Sequence, residues 1–184
     1  MVAREELSEA GVSLRWRASE EDATLIDDFD RADPETNALG GEHENVSMDA
    51  AEELYTFTPD DESPSRGYRR TTSLRLTPPE GSAGVWRTEF DALEVAGGAT
   101  LQARVKGADG ETMPTFTVVL SGDEDDEERR VVVGAEHIGP RGMTNRYTQL
   151  VVPIGLDTLE EVAFEVEGGA LFVDGLRMVR SNTP

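Results

Sequence analysis

The sequence predicts an all-β fold, a sandwich of about ten or eleven strands, from three observations. Short segments alternate apolar and polar residues, most clearly in Leu101–Val105 and Phe116–Leu120. Turn-forming residues separate these segments, as Pro78 and Pro79 do after one of them. No segment carries the longer periodicity of an amphipathic helix. A chain of many short strands with turns between them buries its apolar faces by stacking two sheets or closing a barrel.

The expected strands follow one another along the whole chain. In order they are Leu25–Phe29, Leu54–Thr58, Tyr68–Leu76, Val85–Phe90, Leu101–Val105, Phe116–Leu120, Val131–Val133, Tyr147–Ile154, Val162–Val166 and Leu171–Met178. We expect residues 42–49 to form a loop, and the acidic run Asp123–Glu128 to form a solvated hairpin tip. Two short helical turns are expected, at residues 4–10 and at Leu156–Glu161, where Asp157 could act as the N-terminal cap.

Length and composition limit the classes of protein that this chain can be. Its 184 residues are enough for one domain with a substantial core, which we place at residues 23–184 behind an N-terminal arm at residues 1–22. The 38 acidic and 17 basic residues give a formal charge of −21, so the chain should repel the phosphate backbone of nucleic acids. The same composition fits adaptation to salt.

Several other classes are disfavoured by residues that the sequence does not contain. There is no cysteine, which excludes disulfides and thiolate metal sites, and only two histidines are available for a zinc site or a catalytic triad. The apolar runs are too short for a transmembrane segment, and the N-terminus has no signal-peptide pattern. We therefore expect a cytoplasmic protein, peripheral to the membrane if its partner is a membrane complex.

Two stretches carry a resemblance to a known superfamily. The sequence IDDFDRADPETNALGG occupies Ile26–Gly41, and ALFVDGLRM occupies Ala170–Met178. Together they resemble the galactose-binding-like jelly-roll superfamily, and within it the complex I intermediate-associated protein family and carbohydrate-binding modules. The resemblance extends over residues 24–180. The intermediate-associated family commonly has Ser after its Gly-Gly pair, where this chain has Glu42.

The resemblance implies a jelly-roll β-sandwich and a structural calcium ion. Family members often take calcium ligands from an acid of the first strand and from the Asp of the last strand, which correspond here to Asp30 and Asp174. Calcium prefers six to eight oxygen ligands, and carboxylates with loop carbonyls supply them. The alternative is that Asp30 caps a turn and that Asp174 pairs with an arginine or lies on the surface. Asn37 and Gly40–Gly41 are expected to meet backbone requirements of the loop.

An enzymatic function is not expected. None of the common catalytic motifs occurs in a usable context, and pairs of carboxylates arise by chance in so acidic a chain. We interpret His43 and His137 as loop histidines.

Protein binding is the first of two functional hypotheses. Similarity to the intermediate-associated family implies an extrinsic or accessory subunit, or an assembly-stabilising factor, of a membrane electron-transfer complex, respiratory or photosynthetic. Leu14, Arg15, Trp16 and Arg17 form a local positive segment, and Trp and Arg are frequent at binding hot spots. The same four residues also fit an outer strand in which Leu14 and Trp16 face the sandwich.

Carbohydrate binding, with a structural calcium, is the alternative. Sugar rings stack on aromatic faces that have polar groups beside them. Tyr68 and Trp86 are the first candidates, followed by Tyr55 and Tyr147, although Trp86 alternates with Phe90 as a core residue would. The loop at Gly139–Asn145 is a further candidate for contact with a partner.

Overall fold

The computed structural model describes residues 23–30, 35–57, 69–108, 110–123 and 128–180. The predicted arm with Leu14, Arg15, Trp16 and Arg17 lies outside the described residues, and so do Tyr68 and the helical turn expected at residues 4–10. The described chain contains eleven strands: β1 (Ala23–Asp27), β2 (His43–Asn45), β3 (Asp49–Phe57), β4 (Arg69–Thr77), β5 (Gly84–Glu94), β6 (Thr100–Gly107), β7 (Thr115–Ser121), β8 (Arg129–Val132), β9 (Thr148–Pro153), β10 (Thr158–Glu167) and β11 (Leu171–Val179).

The strands form two antiparallel sheets packed face to face. The six-stranded sheet has the order β3-β4-β11-β6-β9, and β1 pairs with the second half of β11. The five-stranded sheet has the order β2-β5-β10-β7-β8. The predicted all-β jelly-roll sandwich is therefore confirmed.

Alternation along the strands places the core between the sheets. From the six-stranded sheet, Leu101, Val105 and Leu171 are fully buried, while Trp86 and Phe164 come from the other sheet. These side chains belong to one continuous apolar cluster that contains residues of both sheets. Because the side-chain period of a strand is two, every second residue of each strand lies on the opposite, outer face.

Three local expectations are corrected. Leu156–Glu161 is not a helical turn, because Thr158 and Leu159 pair with β5 as the start of β10. Residues 43–45, expected in a loop, form the short edge strand β2, which pairs with β5. A four-residue helix, α1 (Ala135–Ile138), contains His137, whose Nδ1 accepts a hydrogen bond from the Gly134 backbone at 3.1 Å.

The loop after β1 is fixed by one buried amide side chain. Asn37 Nδ2 donates to Thr88 Oγ1 at 2.7 Å and to the Glu89 carbonyl at 2.8 Å, while its Oδ1 accepts from the Leu39 and Gly41 amides. A Cβ on Gly41 would lie 1.8 Å from the Glu89 carbonyl oxygen, so only glycine fits there. The expectation that Asn37 and this glycine meet backbone requirements is confirmed.

The central strand β11 carries a register shift that positions the site described below. Between Asp174 and Arg177 the strand advances three residues while β6 advances two, from Arg104 to Gln102. Gly175 lies within this bulge at φ 63°, a conformation that favours glycine. The bulge brings both Asp174 and Arg177 to the outer face, where strict alternation would have separated them. No helix among the described residues is long and apolar enough to cross a membrane.

Candidate functional site

The outer face of the six-stranded sheet is the first candidate site. We use the name "outer face" for the residues of β4, β6, β9 and β11 that alternate with the buried core residues. They are Ser73, Arg75, Gln102, Arg104, Lys106, Gln149, Val151, Phe172, Asp174 and Arg177.

Aromatic rings and cations alternate along one row of this face. Phe172 is opposite Arg75 on β4 and opposite Lys106 on β6. The Lys106 Nζ lies 4.4 Å from the Phe172 ring centroid and 5.3 Å from that of Tyr147. The Arg75 Cζ lies 5.7 Å from the Phe172 centroid on the other side. Such distances are those of cation–π contacts, which hold the charged groups above the rings.

Phe172 and Tyr147 also belong to a small apolar cluster separate from the main core. Ala108 and Ala170 complete it. Phe172 is 8% exposed and Tyr147 is partly exposed. Tyr147 is therefore the more exposed of the two rings.

Planar polar side chains occupy the next rows of the outer face. Arg104 pairs with Asp174, and the Asp174 side chain is almost fully buried. In the register between β6 and β9, Arg104 lies opposite Gln149. Gln149 Nε2 donates to Gln102 Oε1 at 2.9 Å, so the two amides form a connected pair. Burial raises the pKa of the Asp174 carboxyl, and the neighbouring Arg104 opposes that shift.

A groove of about 720 Å³ lies over this part of the face. Its floor is formed by β6 and β9, and its wall by α1 and the loop that follows. The lining residues are Gln102, Glu136, His137, Ile138, Gly139, Pro140, Arg141, Thr148, Gln149 and Val151. The wall is tied to the floor, because Thr148 Oγ1 donates to the Ile138 carbonyl at 2.9 Å and the Gly107 amide donates to the Thr144 carbonyl at 2.8 Å. The loop predicted to contact a partner, Gly139–Asn145, therefore begins as one side of this groove.

A smaller slot of about 330 Å³ opens between the two sheets, beside β2 and β3. His43 Nε2 lies 2.7 Å from Asp27 Oδ2, and both side chains are more than nine-tenths buried. The other Asp27 oxygen accepts from the Phe29 amide at 2.8 Å, a turn in which Phe29 adopts φ 56°. Burial and the nearby Asp27 raise the pKa of Glu52, which also lines the slot. His43 is thus a buried, paired histidine, and its interpretation as a loop histidine was wrong.

The structure gives the two predicted calcium ligands different partners on the six-stranded sheet. Asp30 Oδ1 accepts from Thr72 Oγ1 on β4 at 2.9 Å, while Asp174 pairs with Arg104 on β6. Asp30 is close enough to contribute to the raised pKa of Asp174. Within the described ranges no group of three or more His, Cys, Asp or Glu residues is arranged to hold a metal. The calcium site stays a prediction, and a calcium-specific rise in melting temperature that Asp30→Asn abolishes would support it.

The position of Trp86 does not support its prediction as a sugar-stacking residue. Its side chain is 1% exposed and packs among Phe29, His43 and Phe164, with ring centroids 5.1–6.2 Å apart. Alternation on β5 turns it into the core, so neither ring face is presented to a ligand outside the sheet. Nothing is described for Tyr68, which stays a prediction.

Sequence reasoning missed most of the outer face. Gln102, Arg104 and Lys106 alternate with the apolar residues of one predicted strand, and this alternation was the available signal. Alternation does not reveal which strands are neighbours, and hence that Phe172 lies beside Lys106.

Comparison with known proteins agrees with this fold. A family 11 carbohydrate-binding module from Clostridium thermocellum, solved in complex with a β-1,3-1,4-mixed-linked tetrasaccharide, is 6% identical, with a TM-score of 0.52 over 86% of this chain and 96% of that one. The chain shares the β-sandwich fold of this module. A family 29 module, solved as a point mutant of CBM29-2, is 12% identical with a TM-score of 0.47 over 84% and 89% of the two chains. No protein-family model and no curated protein matches the sequence.

Proposed function

We propose that this protein is a non-catalytic carbohydrate-binding domain, and that the groove on the outer face receives a segment of a polysaccharide. The observation that carries the proposal is the lining of the groove. The amides of Gln102 and Gln149 form its floor, and the Arg104–Asp174 pair lies directly beside them.

The chemistry of the groove suits sugar hydroxyl groups, each of which can donate and accept a hydrogen bond. An amide offers both a donor and an acceptor in one plane, a guanidinium offers several donors, and a carboxylate accepts. Tyr147 directly precedes the β9 segment of the floor and supplies an aromatic group near the polar ones. The volume of about 720 Å³ lies within the range of roughly 300–1,000 Å³ that ligand sites occupy.

The likeness to the family 11 module supports this proposal at the level of the fold. That module was solved with a bound tetrasaccharide, and its chain is covered almost completely by the present one. At 6% identity the likeness does not transfer residues, so the proposal depends on the side chains of this groove.

A subunit role in a membrane electron-transfer complex finds less support. Stable protein interfaces are centred on large apolar or aromatic anchors that lose all contact with water. Within the described part of the chain, the exposed large hydrophobic residues are Leu25, Val46 and Val132, and Leu25 and Val132 belong to different sheets. The outer face is instead polar at its centre. The arm hypothesis concerns residues outside the described ranges and stays a prediction.

Calorimetric titration against a panel of polysaccharides tests the proposal. The panel should contain neutral polymers, such as a mixed-linked β-glucan and a xylan, and an acidic one, such as polygalacturonate. We expect at least one to bind, and the double variant Gln102→Ala/Gln149→Ala to weaken binding about tenfold or more, since two hydrogen-bonding groups are lost.

Thr117→Ala is the matched control, because Thr117 is a half-buried polar residue of the other sheet. It should bind as the unaltered protein does. Absence of binding to every polymer would contradict the proposed function, as would unchanged affinity in the double glutamine variant.

A further inference from the structure

The charge of the outer face is opposite in sign to the charge of the chain. The whole protein carries 38 acidic and 17 basic residues. Among the residues that define the outer face, the basic ones are Arg75, Arg104, Lys106 and Arg177, and the acidic one is Asp174. Lys106 is also the only lysine of the sequence. Four of the 17 basic residues of the chain thus lie on this face, while Glu53 and Glu111 pair with Arg75 at its edge and Glu136 lines the groove.

Neighbouring strands bring two of these cations together. Arg104 is opposite Asp174, and Arg177 is opposite Gln102, two residues from Arg104 on the same strand. Arg177 is half-buried, and burial together with the charge of Arg104 lowers the pKa of its guanidinium. Asp174 already supplies one carboxylate to Arg104, and a further anion that reaches both cations would offset the remaining repulsion between them.

The neighbouring side chains keep the cations at the surface of the sheet. Lys106 lies between the rings of Phe172 and Tyr147, and the Arg104 Cζ is 5.7 Å from the Tyr147 centroid. At the edge of the face Arg75 pairs with two glutamates of neighbouring segments. Arg75 is paired with carboxylates at the edge of the face and Arg104 is paired with Asp174, while Lys106 and Arg177 lie on β6 and on the neighbouring strand β11.

We propose that the polysaccharide bound here is anionic, a polyuronic acid whose carboxylates lie against Arg104, Lys106 and Arg177. The proposal rests on the proposed function. Guanidinium groups match planar carboxylates with two parallel hydrogen bonds, and the ammonium of Lys106 adds a compact positive charge. The glutamines of the groove then bind the hydroxyl groups of the same sugars.

The large negative charge of the protein does not prevent this interaction. At physiological ionic strength the screening length is about 8 Å, so acidic residues on the opposite sheet act weakly on a ligand at the outer face. Charges in direct contact with the ligand are screened much less.

Polygalacturonate and its fully methyl-esterified form are the matched probes, because the sugar backbone is the same and each carboxylate is replaced by a neutral methyl ester. We expect the full-length protein to bind polygalacturonate at least about tenfold more tightly than the ester. The double variant Lys106→Gln/Arg177→Gln should lose this preference and retain the weaker binding of the ester. Lys106→Arg, which keeps the charge, should retain the preference.

Arg130→Gln is the matched control, since it removes one positive charge from the other sheet. Its preference should equal that of the unaltered protein, and circular dichroism should show that all variants are folded. Dextran sulfate and single-stranded DNA serve as polyanions of other chemistry. Binding them as tightly as polygalacturonate would overturn the assignment to uronic acids.

The outcomes separate this inference from the proposed function. Equal binding of polygalacturonate and its ester, or of neutral polymers alone, overturns the anionic ligand and leaves carbohydrate binding standing. Absence of binding to every polymer overturns both. A preference for polygalacturonate that survives in the Lys106→Gln/Arg177→Gln variant overturns the assigned cations.

Discussion

The outer surfaces of the two sheets differ in how their arginines are paired. On the five-stranded sheet, Arg87 contacts three carboxylates, those of Glu44, Glu89 and Glu161. Arg130 on the same sheet pairs with the glutamates 128 and 165. Both arginines have more than one acidic partner, and acids outnumber cations in these pairs. Such exposed pairs contribute little to stability, so they chiefly keep the surface hydrated and acidic.

The centre of the outer face of the six-stranded sheet has the opposite balance, whereas Arg75 at its edge pairs with two glutamates. Arg104 pairs with Asp174, which is almost completely buried, and its neighbours in the register are amides. Two sheets of similar architecture thus carry an acid-rich ionic network on one surface and a row of amide, guanidinium and ammonium donors on the other. The proposed binding at the outer face therefore depends on the charge and the planar groups of its strands, which the fold alone does not determine.

Replacing Phe172 by Ala should give the largest change in stability on the outer face. Phe172 is 8% exposed and packs with Ala108, Ala170 and Tyr147. Loss of a buried phenyl ring costs about 3–5 kcal/mol, and we expect about 3 kcal/mol because this cluster is small. Val132→Ala on the other sheet, where the side chain is 74% exposed, should cost less than about 0.5 kcal/mol. Urea denaturation monitored by circular dichroism measures both.

A smaller loss of stability in Phe172→Ala than in Val132→Ala would show that the outer face has no apolar cluster of its own. The cations beside the ring would then be held by other contacts.

Reversing one charge on each surface tests the comparison through binding. Arg177→Glu changes the local charge by two and should weaken binding of polygalacturonate about 100-fold, equivalent to about 2.7 kcal/mol. Arg130→Glu makes the same change on the five-stranded sheet and should alter the affinity less than about twofold. Calorimetric titration at constant ionic strength measures both, because the attraction depends on salt. Similar losses in the two variants would mean that net charge, and not the outer face, governs binding.

The fold was predictable because it depends on local alternation. Segments such as Leu101–Val105 alternate strictly, and the structure makes this one a strand with its apolar side in the core. The prediction of a helical turn at Leu156–Glu161 was wrong, because pairing of this segment with the distant strand β5 outweighed the local capping signal of Asp157. Local propensity is a weak prior where tertiary contacts compete.

The sites were less predictable, since they depend on which strands are neighbours. Asp27 and His43 are far enough apart in sequence that nothing local pairs them, yet their side chains are in contact and buried. Lys106 and Phe172 are brought together by the pairing of β6 with β11. The position of Trp86 does not support it as a binding residue, because aromatic character does not indicate which face of the sheet a side chain occupies.

The bulge in β11 offers a smaller test of how the outer face is built. Gly175 has φ 63°, and a Cβ added there would meet no other atom within 4 Å, so Gly175→Ala should destabilise through backbone strain alone, by about 1–2 kcal/mol. Gly97→Ala is the control, because Gly97 has similar open space without a positive φ, and it should be neutral or slightly stabilising. Thermal unfolding measures the difference. Equal melting temperatures for the two variants would contradict a strained bulge between Asp174 and Arg177.

The smallest expected effect is the pH-dependent gain in stability that we expect when Glu161 on the five-stranded sheet is replaced by Gln. Burial raises the pKa of Glu161, and Arg87 opposes this shift without cancelling it. The folded state therefore binds a proton more readily than the unfolded state. The contribution of Glu161 to stability is complete below the unfolded pKa and is lost as the pH rises through the folded value.

Glu161→Gln removes this loss and should be more stable than the unaltered protein at pH 7, with no difference at about pH 3, where the carboxyl is protonated in both states. The side chain is 20% exposed, so the gain should stay below about 1 kcal/mol, or about 2–4 °C in melting temperature. Thermal unfolding at the two pH values measures it. A loss of stability at pH 7 would show that the ion pair with Arg87 outweighs the burial of the carboxylate. The acidic network of this sheet would then be a source of stability, and the contrast between the two surfaces would lie in binding alone.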